Sequence, residues 1–135
     1  MGTALAASVL LLRRRFISVQ VVGTSMEPTL SAGDRILVRR SGLERVRRGQ
    51  IVVIANPSPV AGDPSWLVKR VVALPGDEIP RDGVPALREV QEDVVPAGRL
   101  VLLGDNQAAS YDSRVAGYFE AATLLGVAVR QRLTV

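Results

Sequence analysis

Ser25 and Lys69 are the residues of this 135-residue chain whose side chains could supply a nucleophile and its base. The chain contains neither histidine nor cysteine, which excludes the Ser-His-Asp triad, every cysteine nucleophile and the usual zinc and haem ligand sets. A serine hydroxyl is a poor nucleophile until a base accepts its proton. Near neutral pH that base must be a carboxylate, a tyrosine, the N-terminus or a lysine whose pKa is lowered.

The stretch around Ser25 suits the display of a hydroxyl at the end of a strand. Residues 17–22 alternate between apolar and polar side chains and predict a strand, which small turn-forming residues and then Pro28 bring to an end. A serine at such a position most often only satisfies a turn. The stretch alone therefore leaves a structural and a catalytic role open for Ser25.

Lys69 is the only lysine among 17 basic residues, and it lies in a predicted apolar strand at positions 66–74. In an extended strand Leu67, Lys69 and Val71 share one face, whereas Arg70 points to the other. An ordinary lysine is less than about 0.1 per cent neutral at pH 7, but burial lowers its pKa by up to about 3–5 units. A buried lysine could act as a base, whereas one whose head group reaches water could not. The pattern leaves both open.

Four segments of the chain resemble, in order, the sequence boxes of the type I signal peptidases, the serine–lysine membrane peptidases that remove signal peptides. The first, residues 23–30 (GTSMEPTL), contains the Ser-Met-x-Pro-Thr-Leu core of the nucleophile box. The others are residues 33–38 (GDRILV), 69–77 (KRVVALPGD) and 104–114 (GDNQAASYDSR). One such box would be weak support, but four boxes in the same order are specific to the family.

The resemblance implies a role for each polar residue of these boxes. Ser25 would be the nucleophile that forms the acyl-enzyme, and Lys69 would accept its proton and later activate the deacylating water. Ser110 resembles the serine that hydrogen-bonds the lysine ammonium and orients it. Asp112 and Arg114 resemble a supporting ion pair.

The resemblance also implies a substrate pocket and an oxyanion hole. Val21, Met26 and Val68 would line an apolar pocket for small residues, as in Ala-x-Ala cleavage sites. The substrate would bind as an added strand. The oxyanion would be held by the Ser25 backbone N–H, with Gly23 at the position where many members of the family carry a hydroxyl residue.

Short apolar runs separated by Gly, Pro and Asp turns predict an all-β fold. The predicted strands are residues 17–22, 35–39, 50–55, 66–74, 99–103 and 124–133, with 41–48 and 104–117 as polar loops. Residues 87–93 could form a short helix or a strand. We expect a compact folded sheet or partial barrel of the signal-peptidase type, preceded by a short apolar helix.

The N-terminal segment is apolar from Ala4 to Leu12, apart from Ser8, and is followed by three arginines. Nine helical residues span about 14 Å, roughly half of a bilayer's hydrocarbon core. The segment could be a short membrane-dipping anchor, the end of a longer helix, or a helix that packs on the domain. We expect residues 1–16 to associate with a membrane and residues 17–135 to form the catalytic domain, on the extracytoplasmic side of the cell membrane.

The net charge of +4 is compatible with a solvated basic surface or with attraction to an anionic membrane. Nucleic-acid binding is not expected, because the five aromatic residues are not interleaved with the arginines as a base-stacking surface requires. The expected partners are preprotein or signal-peptide substrates and membrane lipid. We expect no cofactor and no metal.

The predicted function is that of a serine endopeptidase of the signal peptidase I type, which cleaves signal peptides after small residues. A dedicated maturation peptidase of the same family, acting on one partner protein, is an alternative. An inactive membrane-associated β module is another. Self-cleaving SOS-repressor (LexA-like) proteases also use serine and lysine, but the four boxes match them less well, and only about 16 residues precede the first predicted strand.

Overall fold

The structure, a computed structural model, describes residues 2–130 and is built around one antiparallel sheet. Within that range seven strands pair in the order β1-β2-β7-β3-β4-β5-β6. They are β1 (Phe16–Gln20), β2 (Arg35–Arg40), β3 (Ile51–Ala55), β4 (Trp66–Ala73), β5 (Arg99–Leu103), β6 (Phe119–Glu120) and β7 (Leu124–Arg130), and the α-helices are α1 (Gly2–Arg15) and α2 (Ser113–Ala116). The sheet curls into a half-barrel, which confirms the prediction of an all-β fold with a short N-terminal helix.

The sheet is covered with apolar side chains on both faces, as strand β3 shows. Ile51 and Val53 belong to one buried cluster, whereas Val52 and Ile54 belong to another. Successive side chains of a strand point to opposite faces, so four consecutive buried residues require a cover on each side. β3 therefore runs through the middle of the domain, and β4 with its lysine lies directly beside it.

The predicted strand ends agree with the observed ones to within two residues. The largest shift is at the first strand, where residues 21 and 22 lie beyond β1. Val21 nevertheless continues the ladder, since its N–H donates to Asp34 (2.8 Å) and its carbonyl accepts from Gly33 (2.9 Å). Residues 131–133 of the predicted last strand lie outside the described residues.

Several short elements could not be predicted from periodicity. The polar segment 104–117 contains helix α2, and strand β6 has only two residues. Residues 87–93 form neither an α-helix nor a strand. A 3₁₀ turn at Pro85–Leu87 ends at the first residue of this segment. Elements of two to four residues are too short to display a helical or strand period.

Helix α1 extends beyond the apolar segment in both directions and leads into β1 without an intervening loop. Its apolar side chains are exposed, for example Leu5 at 70% and Leu11 at 54%. The helix therefore does not bury these side chains against the domain. Among residues 2–130, the structure contains no helix with the length and hydrophobicity needed to cross a bilayer.

Close backbone approach at Gly126 fixes how β2 and β7 pair. A Cβ atom at this position would collide with the carbonyl oxygen of Arg39. Arg40 is the cross-strand partner of Gly126, and Arg39 is the partner of Val127. Glycine is therefore required here for the two strands to come together at the observed register.

Candidate active site

Ser25 lies in the turn after β1, and its backbone is tied to the loop that follows β5. Its carbonyl oxygen accepts a 2.8 Å hydrogen bond from the backbone N–H of Asn106, whose side-chain amide donates to the Thr24 carbonyl at 3.0 Å. Met26 and Leu30 are fully buried on the next turn of chain. These contacts hold the Ser25 backbone on a fixed frame while its side chain stays partly exposed.

Lys69 is buried, with only 3% of its surface exposed, although it carries an amine. It lies on β4 opposite Val52, a fully buried residue of β3. Its Nζ donates a 3.1 Å hydrogen bond to Ser110 Oγ. The sole lysine of the chain thus reaches a serine 41 positions away in the sequence.

Burial lowers the pKa of Lys69 below its ordinary value, because the charged ammonium is removed from water. The Asp112 carboxylate raises the pKa of Lys69 by attracting the ammonium. The Arg114 guanidinium lowers this pKa by repelling the ammonium. Desolvation is the largest of the three effects. The direction of the shift is the one a lysine needs to act as a base.

Asp112 is a fully buried carboxylate whose oxygens accept hydrogen bonds from four groups. Oδ2 accepts from Ser110 Oγ (2.7 Å), the Gly104 N–H (2.8 Å) and Arg114 Nη1 (2.9 Å). Oδ1 accepts from the Arg114 N–H at 3.0 Å and so caps the N-terminus of α2. A buried charge is tolerated only when it is paired and hydrogen-bonded in this way.

Gly104 is the point at which Ser25 and Ser110 come together. A Cβ atom on Gly104 would collide with the Ser110 side chain and would also meet the Ser25 carbonyl oxygen. Ser110 in turn contacts Lys69, so Ser25, Ser110 and Lys69 gather at the end of β5. Among residues 2–130, the Ser25 hydroxyl makes no hydrogen bond, and Lys69 Nζ is bonded to Ser110 instead.

A groove with a volume of about 210 Å³ lies beside Ser25. Its wall includes Ser25 together with apolar side chains from β4 and from the segment that follows β1, among them Val21, Val22, Trp66 and Val68. Val21 and Val68, which the resemblance assigned to the pocket, therefore line the groove. Met26 does not line it, because its side chain points inward and is fully buried in the cluster beneath.

The two residues assigned to the oxyanion hole lie in the same turn. Gly23 has a φ of +82°, a backbone conformation that favours glycine, and it is exposed. The Ser25 N–H donates to no acceptor within residues 2–130. An N–H group at this place, close to the groove, can donate to a ligand.

Arg70, Asp105 and Thr29 form a polar cluster that was not identified from the sequence. Arg70 binds Asp105 through two hydrogen bonds of 2.8 and 2.7 Å, and Thr29 Oγ1 donates to the same carboxylate at 2.6 Å. Arg70 also lowers the pKa of Asp105 below its ordinary value. All three residues lie within the family-like segments 23–30, 69–77 and 104–114, which was the available sign of this cluster. The cluster ties the lysine strand to the serine turn.

Within residues 2–130, no group of three or more Asp, Glu, His or Cys side chains is placed to hold a metal ion. The groups gathered around Ser25 are instead a hydroxyl, an amine of lowered pKa and free backbone N–H. Together they can carry out nucleophilic attack, proton transfer and oxyanion binding.

Comparison with known proteins gives one matching family and several relatives. The family model described as "Signal peptidase, peptidase S26" matches residues 1–85 and 81–131. A Synechocystis protein named probable signal peptidase I-2 is 31% identical over 127 residues, which cover 78% of this chain and 58% of the relative. Subunit 1 of the mitochondrial inner membrane protease of Schizosaccharomyces pombe is 34% identical over 96 residues, which cover 68% of this chain and 57% of the relative.

A crystal structure of a signal peptidase I from Enterococcus faecalis V583 aligns with a TM-score of 0.45 and 24% identity, over 64% of this chain and 98% of that chain. The chain spans less than two-thirds of the length of the two sequence relatives described above.

Proposed function

Because the chain belongs to the signal peptidase family, peptidase S26, which is a family of serine endopeptidases, we propose that it cleaves preproteins after small residues with Ser25 as nucleophile and Lys69 as general base. Signal peptidases act on preprotein substrates. The observation that carries the proposal is the buried amine of Lys69, bonded to Ser110 beside the turn that holds Ser25.

The proposed reaction begins when the scissile peptide lies across Ser25. Ser25 Oγ attacks the carbonyl carbon, and its proton passes to the neutral Lys69 Nζ. The tetrahedral oxyanion is held by the Ser25 N–H, with Gly23 giving the turn its shape. When the C–N bond breaks, the lysine ammonium returns the proton to the leaving amine. The result is an ester between the signal peptide and Ser25.

Deacylation repeats these steps with water. The neutral lysine takes a proton from the water as the oxygen attacks the ester, and the ammonium then returns it to Ser25 Oγ. Ser110 holds Nζ in place through both halves, and Asp112 and Arg114 fix Ser110. We assign the apolar wall formed by Val21 and Val68 to the small side chains that precede the cleaved bond, and the fully buried Met26 to its support.

We also propose that residues 1–16 associate with a membrane and that residues 17–135 form the catalytic domain. The exposed apolar side chains of α1 and the arginines at its end support this division. The name of the S. pombe relative places that protein at a membrane. For this chain we propose the cell membrane, with the catalytic domain on the extracytoplasmic side.

The test is cleavage of a preprotein with an Ala-x-Ala site by the purified chain in lipid or detergent, beside Ser25→Ala. We expect cleavage at that site by the parent only. If the parent fails to cleave while a serine-reactive probe still labels Ser25, a dedicated partner substrate replaces the general one. If neither cleavage nor labelling occurs, the proposal is wrong and the chain is an inactive module.

A further inference from the structure

A second groove, separate from the one beside Ser25, is lined by arginines. Arg39 of β2 contributes to it together with Arg45 and Arg47 from the loop between β2 and β3. Ser41 and Glu44 also line it, and Val127 of β7 lies in its wall. We call it the arginine groove. None of its lining residues borders the groove beside Ser25.

The three guanidinium groups of the arginine groove have no partner of opposite charge. Among the described residues, Arg39, Arg45 and Arg47 take part in no ion pair, whereas Arg70, Arg99 and Arg114 do. The one carboxylate in the wall, that of Glu44, lies back against Gly42. With three arginines and one carboxylate in its wall, the groove carries an excess of positive charge.

A buried hydroxyl adds a second polar group to this site. Ser41 Oγ is hidden from solvent and makes no hydrogen bond to any described residue. A buried hydroxyl without a partner costs free energy, so such groups usually have a ligand or a role. Ser41 is one of the residues that line the arginine groove.

The loop that carries Arg45 and Arg47 is held in place by its own contacts. Val46 is buried and Leu43 packs against the same apolar cluster. The Arg47 N–H donates to Gln50 Oε1 at 2.8 Å, and the Gln50 N–H donates to the Arg47 carbonyl at 3.2 Å. The groove is thus a preformed site, since little ordering of the backbone is needed for binding.

The position of helix α1 indicates which anion would be found there. Arg39 pairs directly with Phe16, the residue that follows the last arginine of α1. Exposed apolar residues near the end of α1, such as Leu10 and Leu11, are therefore only a few positions along the chain from the strand pair that contains Arg39. This inference rests on the proposed membrane association of residues 1–16, because phosphate groups are the nearest anions at the surface of a bilayer.

We propose that the arginine groove binds the phosphate of an anionic phospholipid headgroup. Guanidinium groups bind phosphate through paired hydrogen bonds, and three arginines line this groove. Ser41 Oγ is hidden from solvent, so a rotation of its side chain would be needed for it to donate a hydrogen bond to a phosphate oxygen. This site would hold the domain on the membrane whether or not a peptide is cleaved. The proposal can therefore be tested separately from the catalytic one.

The test measures how the full chain partitions onto vesicles. The vesicles are made of phosphatidylcholine alone or of equal parts phosphatidylcholine and phosphatidylglycerol. The R39Q/R45Q/R47Q variant should lower the partition coefficient onto the phosphatidylglycerol vesicles by at least about tenfold. The matched control, R35Q/R88Q/R99Q, removes the same charge elsewhere and should lower it much less. Equal losses in the two variants would mean that net charge alone acts, and would overturn the proposal.

Two further measurements separate a built site from diffuse attraction. R39K/R45K/R47K keeps the charge but cannot form the paired hydrogen bonds, so its partition coefficient should still fall several-fold; an unchanged value would overturn the proposal. Glycerol 3-phosphate should shift the backbone amide resonances of Ser41 and Gly42 in the parent. If inorganic phosphate shifts them equally and the vesicle affinities of parent and R39Q/R45Q/R47Q agree, the site binds free phosphate and the lipid proposal is wrong.

Discussion

Lys69 Nζ donates a 3.1 Å hydrogen bond to Ser110 Oγ, and the Ser110 hydroxyl donates a 2.7 Å hydrogen bond to Asp112 Oδ2. A serine hydroxyl has a single proton, so the lone pairs of Ser110 are the groups that face the lysine. A neutral lysine amine can still donate one N–H to Ser110 and keep its lone pair free. The Lys69–Ser110 contact can therefore persist in both protonation states of a lysine that acts as a base.

Replacing Lys69 by arginine tests whether the amine is a base. Arginine keeps the positive charge but does not lose its proton, so Lys69→Arg and Lys69→Ala should both lower kcat/KM for a preprotein by about 10²–10⁴-fold. The measurement is steady-state cleavage by folded protein. Arg88→Lys, an exchange at an exposed position, serves as the control and should leave activity unchanged. An active Lys69→Arg protein would refute the general-base role.

The pH dependence of kcat/KM should report the lowered pKa of Lys69. Activity is expected to rise with pH as the amine loses its proton, with a midpoint below the ordinary value of 10.5. Arg114 repels the ammonium, so Arg114→Gln should raise this pKa and move the rise to higher pH. Asp112 attracts it, so Asp112→Asn should move the rise to lower pH even if the maximum rate falls. Shifts in the opposite directions would contradict the assignment.

Gly104 should not tolerate a side chain. In Gly104→Ala the added Cβ collides with Ser110 and meets the Ser25 carbonyl, so we expect a loss of about 1–3 kcal/mol in the free energy of unfolding and a fall in kcat. Urea denaturation and cleavage assays measure the two effects. Gly83→Ala is a matched control, because a Cβ there meets nothing within 4 Å. Equal stability of the two variants would show that the close approach at Gly104 is not required.

The ion pair between Arg70 and Asp105 should stabilise the fold in a pH-dependent way. The folded-state pKa of Asp105 is lowered, so its contribution is present above the unfolded value of 3.8 and is lost as the pH falls through the folded value. Asp105→Asn should cost about 1–3 kcal/mol at neutral pH, and the cost should shrink in acid.

Urea denaturation at several pH values checks this prediction. Glu120→Gln is the matched control, because Glu120 pairs with Arg99 at the exposed surface and its removal should cost under about 1 kcal/mol at any pH. A cost for Asp105→Asn that stays constant into acid would contradict the role of the charge.

Much of the fold could be predicted because its strands have clear periods. The alternating run before Ser25 and the apolar run around Lys69 each became a strand with nearly the predicted ends. The direction of Met26 could not be predicted, because it follows Ser25 in a turn, where no period assigns a side chain to one face. Of the three residues assigned to the pocket, Val21 and Val68 line the groove, whereas Met26 is fully buried and does not line it.

Contacts between residues that are far apart in the sequence could not be predicted from local patterns either. Arg70 and Asp105 are 35 positions apart, and nothing in their local surroundings indicates that they pair. The link from Lys69 to Ser110 was predicted only through the resemblance to a family, since 41 positions separate the two residues. Local patterns specify elements, whereas the register between elements decides which side chains meet.

The buried carboxylate of Asp112 serves two purposes that mutation cannot separate. It caps α2 and accepts the Gly104 N–H, and it also orients the serine that holds the lysine. A substitution there would lower the stability of the domain and disturb the proposed proton transfer in one step. Directed evolution of a faster or a more heat-resistant variant should therefore retain Asp112 and select substitutions at neighbouring residues.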